Sequence, residues 1–432
     1  PIEGGALKVG RNSAVISSSS WFYLHTAVAG SAISIEEGGL YQGQSDQFTI
    51  NIAGAGGGAV LSRGTFALTG AFLSGNTADF LGGAVWVLDG AASFSNTVFD
   101  GNTVSSAPGA GGALYVGGAG SSGAQTVDIT GSVFSGNSAS SGGGGSGGAI
   151  ATDYYDGGAL WISDSTFEDN VASLVGGAIH FFDDSPVPSI STITRTRFEA
   201  NHAQWGGGAV AVDAEDVLYG SLKIGQSAFW NNVVVGNSLN PAYGGAILLE
   251  DGDLFVDNSS FFHNGEAPTG STVNVQGRVY AVVPRLGAGP TYGDLHYSTV
   301  QGSGSGAAMY LDGPADMRVK HCIVDGLSGP GPNCAVAPGS GRFFNRWMVS
   351  SDNTCIGHHG SVGASAGAVL GIGTFGLYGG TLPYFPILPT SSAVDISGPF
   401  QCGTATGLTL VDQLGSPRPI NGCDGGSIEY AP

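Results

Sequence analysis

Residues 176–210 read GGAIHFFDDSPVPSISTITRTRFEANHAQWGGGAV, a stretch that opens and closes on the same tetrapeptide, Gly-Gly-Ala-aliphatic. The tetrapeptide recurs at Gly4-Leu7, Gly57-Val60, Gly82-Val85, Gly111-Leu114, Gly147-Ile150, Gly176-Ile179, Gly207-Val210 and Gly244-Ile247. Gly30-Ser31-Ala32-Ile33 is a looser copy, and Gly306-Ala307-Ala308-Met309 a degraded late one. A period of about thirty residues is the mark of stacked repeats, not of one globular core. Such a chain is quasi-one-dimensional, and its function lies on a long surface, at its ends or in its insertions.

A second signal runs in phase. An aromatic residue precedes Asn by three in Phe99/Asn102, Phe134/Asn137, Phe167/Asn170, Phe198/Asn201, Phe229/Asn232 and Phe261/Asn264, and Leu73/Asn76 is the same pair with Leu. Five residues before each Phe stands Phe94, Ile129, Ile162, Ile193, Ile224 or Val256, in runs rich in Ser and Thr. Alternation and β-branched residues predict strands, and no segment sustains a helical apolar period.

Each repeat therefore reads as one coil of strands. Gly-Gly makes a corner that needs positive φ and no side chain. Stacking coils ~4.8 Å apart sets Phe over Phe and Asn over Asn, which predicts an internal aromatic stack and an internal amide ladder. The expected fold is all-β: a three-sided right-handed parallel β-helix, pectate-lyase-like in architecture. About a dozen coils would make a rod of roughly 55–60 Å at that spacing. The repeats fill residues 1–330, and 331–432 form a C-terminal module.

Composition narrows the function. The chain has 13 Lys plus Arg against 33 Asp plus Glu, a net charge of −20. That excludes nucleic acid as an expected partner, because phosphate recognition needs clustered cations. No apolar run reaches transmembrane length. The chain begins with Pro1, almost on a repeat corner, so the expectation is a removed leader or a longer natural N-terminus. An open first coil would offer unpaired backbone groups, an invitation to self-association, head-to-tail or lateral. All five cysteines (Cys322, Cys334, Cys355, Cys402 and Cys423) lie in the last quarter without Cys-x-x-Cys spacing. Two bridges and one thiol are the simplest count, and they place the chain in an oxidising, extracellular setting. Cys322, on a strand-like run, is expected to be a buried thiol, with a Cys322–Cys334 bridge as the alternative.

Residues 1–330 resemble the repeats of bacterial polymorphic outer membrane proteins, through Gly-Gly-Ala-Ile and Phe-x-x-Asn. Those are secreted right-handed β-helices of the cell surface, often adhesive. The last hundred residues resemble the C-terminal module of choice-of-anchor Q proteins, in Gly379-Gly380-Thr381, Leu388–Asp395, Asp412-Gln413-Leu414-Gly415-Ser416-Pro417-Arg418-Pro419 and Cys423–Glu429. The resemblance implies a module that ends the β-helix, and bridges Cys334–Cys355 and Cys402–Cys423. Each would close a loop of about twenty residues, worth roughly 3 kcal/mol in the chain-entropy model.

The variable turn after the Gly-Gly-Ala strand collects acids: Asp89, Asp153, Asp156, Asp183, Asp184, Asp213, Glu215, Asp216, Glu250, Asp251 and Asp253. Stacked turns would set them along one edge. Calcium suits such carboxylates and is the cofactor expectation, against the plain alternative of a solvated acidic edge. Paired carboxylates could also serve a glycosidase. The Asn-Thr-Asp, Gly-His-Gly and Arg-Ile-Lys motifs of polygalacturonase-like sites are missing from the coils. Trp86, Tyr115 and Trp161 are candidate glycan contacts, unless they pack under neighbouring turns. The expected function is a secreted structural or adhesive surface rod, not an enzyme, bound to itself or to a host or matrix glycan or protein. A carbohydrate-active enzyme or a glycan-binding module is the alternative.

Overall fold

A computed structural model describes residues 3–118, 121, 123–140, 144–154, 157–185, 187, 189–213, 221–235, 243–250, 252–265, 282–284, 292–302, 307–311, 316–326, 332–338, 341–355, 365–366, 370–396, 411–418 and 423–430. The chain is all-β, a parallel β-solenoid. Among the described residues three faces run as parallel sheets of 12, 12 and 13 strands, and an 8-stranded ladder fills a corner. In one coil the first face is Ile179–Asp183, the second Ile190–Thr194, the third Arg197–Glu199 and the corner His202–Ala203. Each strand pairs with its counterpart a coil away: Ile179 with Val210, Ile193 with Ile224, Phe198 with Phe229. The twelve strands of the first face match the expected dozen coils. They continue past residue 330, since Cys334–Val336, Phe343–Arg346 and Val349–Ser350 extend the three faces. No helix among the described residues is long and apolar enough to cross a membrane.

The repeat residues do two jobs at the corner. The first glycine has positive φ, 66° at Gly176 and 61° at Gly207, in the left-handed region where a Cβ is strained. The second glycine lies against the next coil, where a Cβ on Gly177 would stand 2.0 Å from the Gly208 carbonyl oxygen.

Inside, like stands on like. Phe99, Phe134, Phe167, Phe198, Phe229 and Phe261 stack nearly parallel, with centroids 4.4–5.1 Å apart. Beside them Asn51, Asn76, Asn102, Asn137, Asn170, Asn201, Asn232 and Asn264 form a continuous ladder. Asn170 is a typical rung: its Nδ2 donates to Asn201 Oδ1 (2.9 Å) and to the Phe134 carbonyl (3.0 Å), while its Oδ1 accepts the N–H and Nδ2 of Asn137. Every polar atom of that amide is satisfied, so the rungs lie buried without an orphan.

A third ladder runs through the hydroxyls at the corner between the second and third faces. The N–H groups of Thr97, Ser132, Thr196, Ser227 and Ser259 donate to the hydroxyls of Ser132, Ser165, Ser227, Ser259 and Ser298. Cys322 takes the next place, one residue before Ile323, which pairs with Thr299. Its Sγ donates to the Lys320 and Leu295 carbonyls (3.1 and 3.4 Å), as Ser132 Oγ does to those of Thr130 and Phe94. Burial pushes this thiol up to about 12, so it stays protonated and is a structural rung.

Cys334 and Cys355 are bridged, with Cα atoms 4.9 Å apart. Cys322 is free and buried. Cys423 is a disulfide cysteine. Cys402, its implied partner, lies outside the described residues.

Candidate functional sites

Among the described residues the acids of the variable turn do not all face the same way. Asp153 faces outward and accepts the Tyr115 hydroxyl at 2.7 Å, and burial raises its pKa. Asp184 is exposed, and its N–H donates to the Tyr154 carbonyl. Asp183 points inward: Ile179, Phe181 and Asp183 alternate on the core side, and only 6 % of Asp183 is exposed. Asp213 pairs with Phe182 across the coils, as Asp153 does one coil earlier, and so stands on the outward side, opposite to Asp183. Glu250 follows Asp213 one coil on, its N–H on the Val212 carbonyl, while Asp253 begins the second face, with its pKa raised by burial. Asp156, Glu215, Asp216 and Asp251 lie outside the described residues. Among the described residues no three His, Cys, Asp or Glu side chains gather to hold a metal ion.

The three candidate glycan contacts occupy two faces. Trp86 and Tyr115 are neighbours on the outside of the first face, ring centroids 6.3 Å apart and edge-on. Trp86 Nε1 donates to the Gly117 carbonyl, its ring packs with Ala29, Leu61 and Leu88, and Tyr115 is buried. Both pack under neighbouring turns, the plainer of the two expectations. Trp161 stands on the second face and is 43 % exposed. The three therefore form no single platform.

Two further sites carry no sequence signature that the repeat would expose. The first is a charged group on the outer side of the second face. His296 Nε2 lies 2.7 Å from Asp294 Oδ1, and its Nδ1 lies 4.0 Å from Asp257 Oδ1. Arg318 reaches Asp294 Oδ2 at 3.3 Å and stacks on Tyr292. Lys320 pairs with His296 across the sheet, and burial lowers its pKa. Asp257, Asp294 and His296 are all buried, although they alternate with the core residues Val256 and Leu295. Arg318 and Lys320 stand two residues apart on one strand, on the same side of the sheet.

The second is the dock of the C-terminal segment. Residues 370–396, 411–418 and 423–430 lie along the third face of the last coils. The segment's described residues pack on the flank of those coils. Phe375 and Phe385 pack on Phe262, and Phe375 also meets Trp230. Ser260 Oγ donates to Gln413 Oε1 (2.7 Å), and the Gly426 N–H donates to the His321 carbonyl. Arg418 is the pin, only 3 % exposed. It donates through Nε and Nη2 to Asn258 Oδ1 and through Nη2 to the Gly426 carbonyl, touches the Glu429 carboxylate, and lies 4.2 Å over the Tyr297 ring. Tyr297 continues the stack with His321 and Trp347, centroids 4.5 and 5.0 Å apart. These three non-glycine residues hold φ of 44°, 53° and 46°. Aromatic residues in that region are strained, and stacking under a buried guanidinium holds them there. The dock uses residues of the run that resembles choice-of-anchor Q modules: Asp412, Gln413, Arg418, Gly426, Ser427 and Glu429.

No family model matches the sequence, and searches of curated proteins and of solved structures gave no match either.

Proposed function

We propose that the chain is an extracellular structural and adhesive rod of a bacterial surface, of the kind that pairs polymorphic outer membrane protein-like repeats with a choice-of-anchor Q-like module. The observation that carries this reading is the laddered interior from Asn51 to Asn264. The signature residues of the repeat are consumed by the amide ladder, the aromatic stack and the glycine corners, all internal. What the repeat builds is stiffness, with a long outer surface free to vary. The Cys334–Cys355 bridge fits an oxidising compartment. The adhesive half is supported by exposed apolar side chains on the first coils: Ile16 (81 % exposed), Trp21 (67 %) and Leu24 (54 %). Isolated exposed apolar residues are ordinary, but a group of this size on a chain with a net charge of −20 favours protein contact or self-association. Electron microscopy and light scattering of the purified chain test this. Rods that associate, and that separate in Trp21→Ser with Ile16→Ser, support the reading; compact monomers that bind neither each other nor a panel of matrix proteins and glycans count against it.

A carbohydrate-active role is the second reading, and the Asp257–Asp294–His296–Arg318 group favours it. The half-exposed Arg318 guanidinium suits a uronate carboxylate, and the Asp294–His296 pair behind it suits proton transfer. Depolymerisation of uronate-containing glycans by the native chain, lost in Asp294→Asn, would replace the structural reading with this one.

A further inference from the structure

The turn that leads from the third face into the corner ladder holds one residue per coil in the left-handed region. From the third coil on it is Gly75, Gly101 and Gly136, then Asp169, Ala200, Asn231 and His263, with φ between 49° and 60°. The first two coils put Leu24 and Ile50 there, at 57° and 54°. A β-branched residue in that region is a steric outlier, and a bulky one is strained. Both side chains are also exposed. The turn itself requires neither cost, since Gly or Asn makes it in later coils.

The neighbouring positions follow the same pattern. Trp21 and Tyr23 in the first coil, Ile52 in the second and Phe72 in the third are exposed on this flank. The rings of Trp21 and Tyr23 lie 5.6 Å apart, and a Cβ on Gly75 would meet Ile50 Cγ1 at 3.7 Å, so Ile50 reaches over the next turn. Farther along, the same columns are polar. Asp100, Ser135, Glu168 and Glu199 continue the column of Tyr23, and Thr77, Thr103 and Ser138 that of Ile52. Charge is withheld as well. Between Asn12 and Ala78 the only Asp, Glu, Lys or Arg residues are Glu36, Glu37, Asp46 and Arg63. Asp46 is buried against Tyr41, and the other three follow first-face strands, at the corner between the first and second faces.

We propose that this flank binds a second copy of the chain through an isologous contact, with Leu24 and Ile50 at its centre. The inference rests on the associative half of the reading above and narrows it to one flank and one partner. Two chains of net charge −20 repel, and here they meet without setting acid against acid. A basic partner would be drawn instead to the acid-bearing columns of the later coils. The six side chains expose on the order of 600 Å² per copy, or about 1,200 Å² for a pair, which reaches the range of stable specific interfaces.

Sedimentation velocity of the 432-residue chain tests this. A monomer–dimer equilibrium is expected at about 1–100 µM, and it should tighten as salt rises from ~20 to ~300 mM, because only the repulsion is screened. Leu24→Asn with Ile50→Asn installs the residue of the Asn231 turn. It is expected to weaken the dimer by roughly 100-fold, yet to melt no lower than the native chain at a dilution where both are monomers. A purely packing role would lower the melting temperature instead. If that variant fails to fold by circular dichroism, Ile52→Thr, which copies Thr77, reads the same loss of the dimer. A native chain that stays monomeric at about 100 µM overturns the inference, and if it still binds a matrix protein or glycan the adhesive reading stands without it. A dimer unchanged in the folded variants places the contact elsewhere and overturns it too. So does a monomer that floats with phosphatidylcholine vesicles, which would assign the flank to lipid.

Discussion

Between Asn51 and Asn264 the solenoid is held from within. Each coil hands its neighbour an amide, and from Phe99 on a ring as well, with a hydroxyl in several coils. After Asn264 the amide ladder stops: Gly302 occupies the register position of Asn264 in the next coil. There the coils are held from outside, by Arg418 and the aromatic column beneath it. The contrast shows two solutions to one problem. A repeat can satisfy its buried polar groups with copies of itself, so each coil depends on its two neighbours. Once the repeat degrades, a distant segment must supply the missing partners, and Asn258 and Arg418 lie 160 residues apart. The inner solution is modular and the outer one depends on a single residue.

The largest expected effect is in the inner region. Gly177→Ala drives a Cβ into the Gly208 carbonyl. Backbone cannot yield there without parting two coils, so a loss of 4 kcal/mol or more is expected in chemical denaturation, on the order of the exceptional class of single substitutions (~4–5 kcal/mol). A loss below about 1 kcal/mol would show that the corner is loose.

Arg418→Ala comes next. It strips Asn258, Gly426 and Glu429 of their partner and leaves a buried carboxylate, a change that costs roughly 3–5 kcal/mol. The damage should be confined to the last coils, and limited proteolysis should cut beyond residue 258 while sparing the inner coils. Asn170→Ala follows at about 2–3 kcal/mol, since it orphans the Asn137 N–H and the Phe134 carbonyl. Asn170→Asp is expected to be no better, because a carboxylate cannot donate to Asn201.

The smallest effects separate the regions by sign. Asp183, in the inner region, has its pKa raised by burial to about 6. The native state holds that proton more tightly, so the group's contribution falls as pH rises from about 4 to 6. His321, in the outer region, is pushed down to about 3, mainly by burial. There the unfolded state binds the extra proton, so stability is lost as pH falls from about 6.5 to 3. Melting curves across this range should show Asp183→Asn removing the falling slope and His321→Gln the rising one. If both variants flatten the same limb, the assignment is wrong.

The fold was legible because its determinants are local and repeated. The Gly-Gly-Ala and Phe-x-x-Asn signals specify corner, stack and ladder, and all three stand where the period puts them. The hydroxyl ladder was half-legible: Ser and Thr before each Phe mark the strand, but only the coil-to-coil bonds show that they form rungs and that Cys322 completes them. Parity would have turned Asp183 inward, because Ile179, Phe181 and Asp183 share one face, yet grouping the acids by turn hides it. The Arg418 pin and the Asp294–His296–Arg318 group were not legible, because each depends on contacts between coils whose repeat has faded.

Hydrogen exchange of the native chain and of Arg418→Ala tests the central claim most directly. The account predicts that the amides of the three faces between residues 60 and 234 exchange slowly in both proteins, while those from 258 to 350 lose protection only in the variant. Equal loss of protection along the whole rod, or none beyond residue 258, would contradict it.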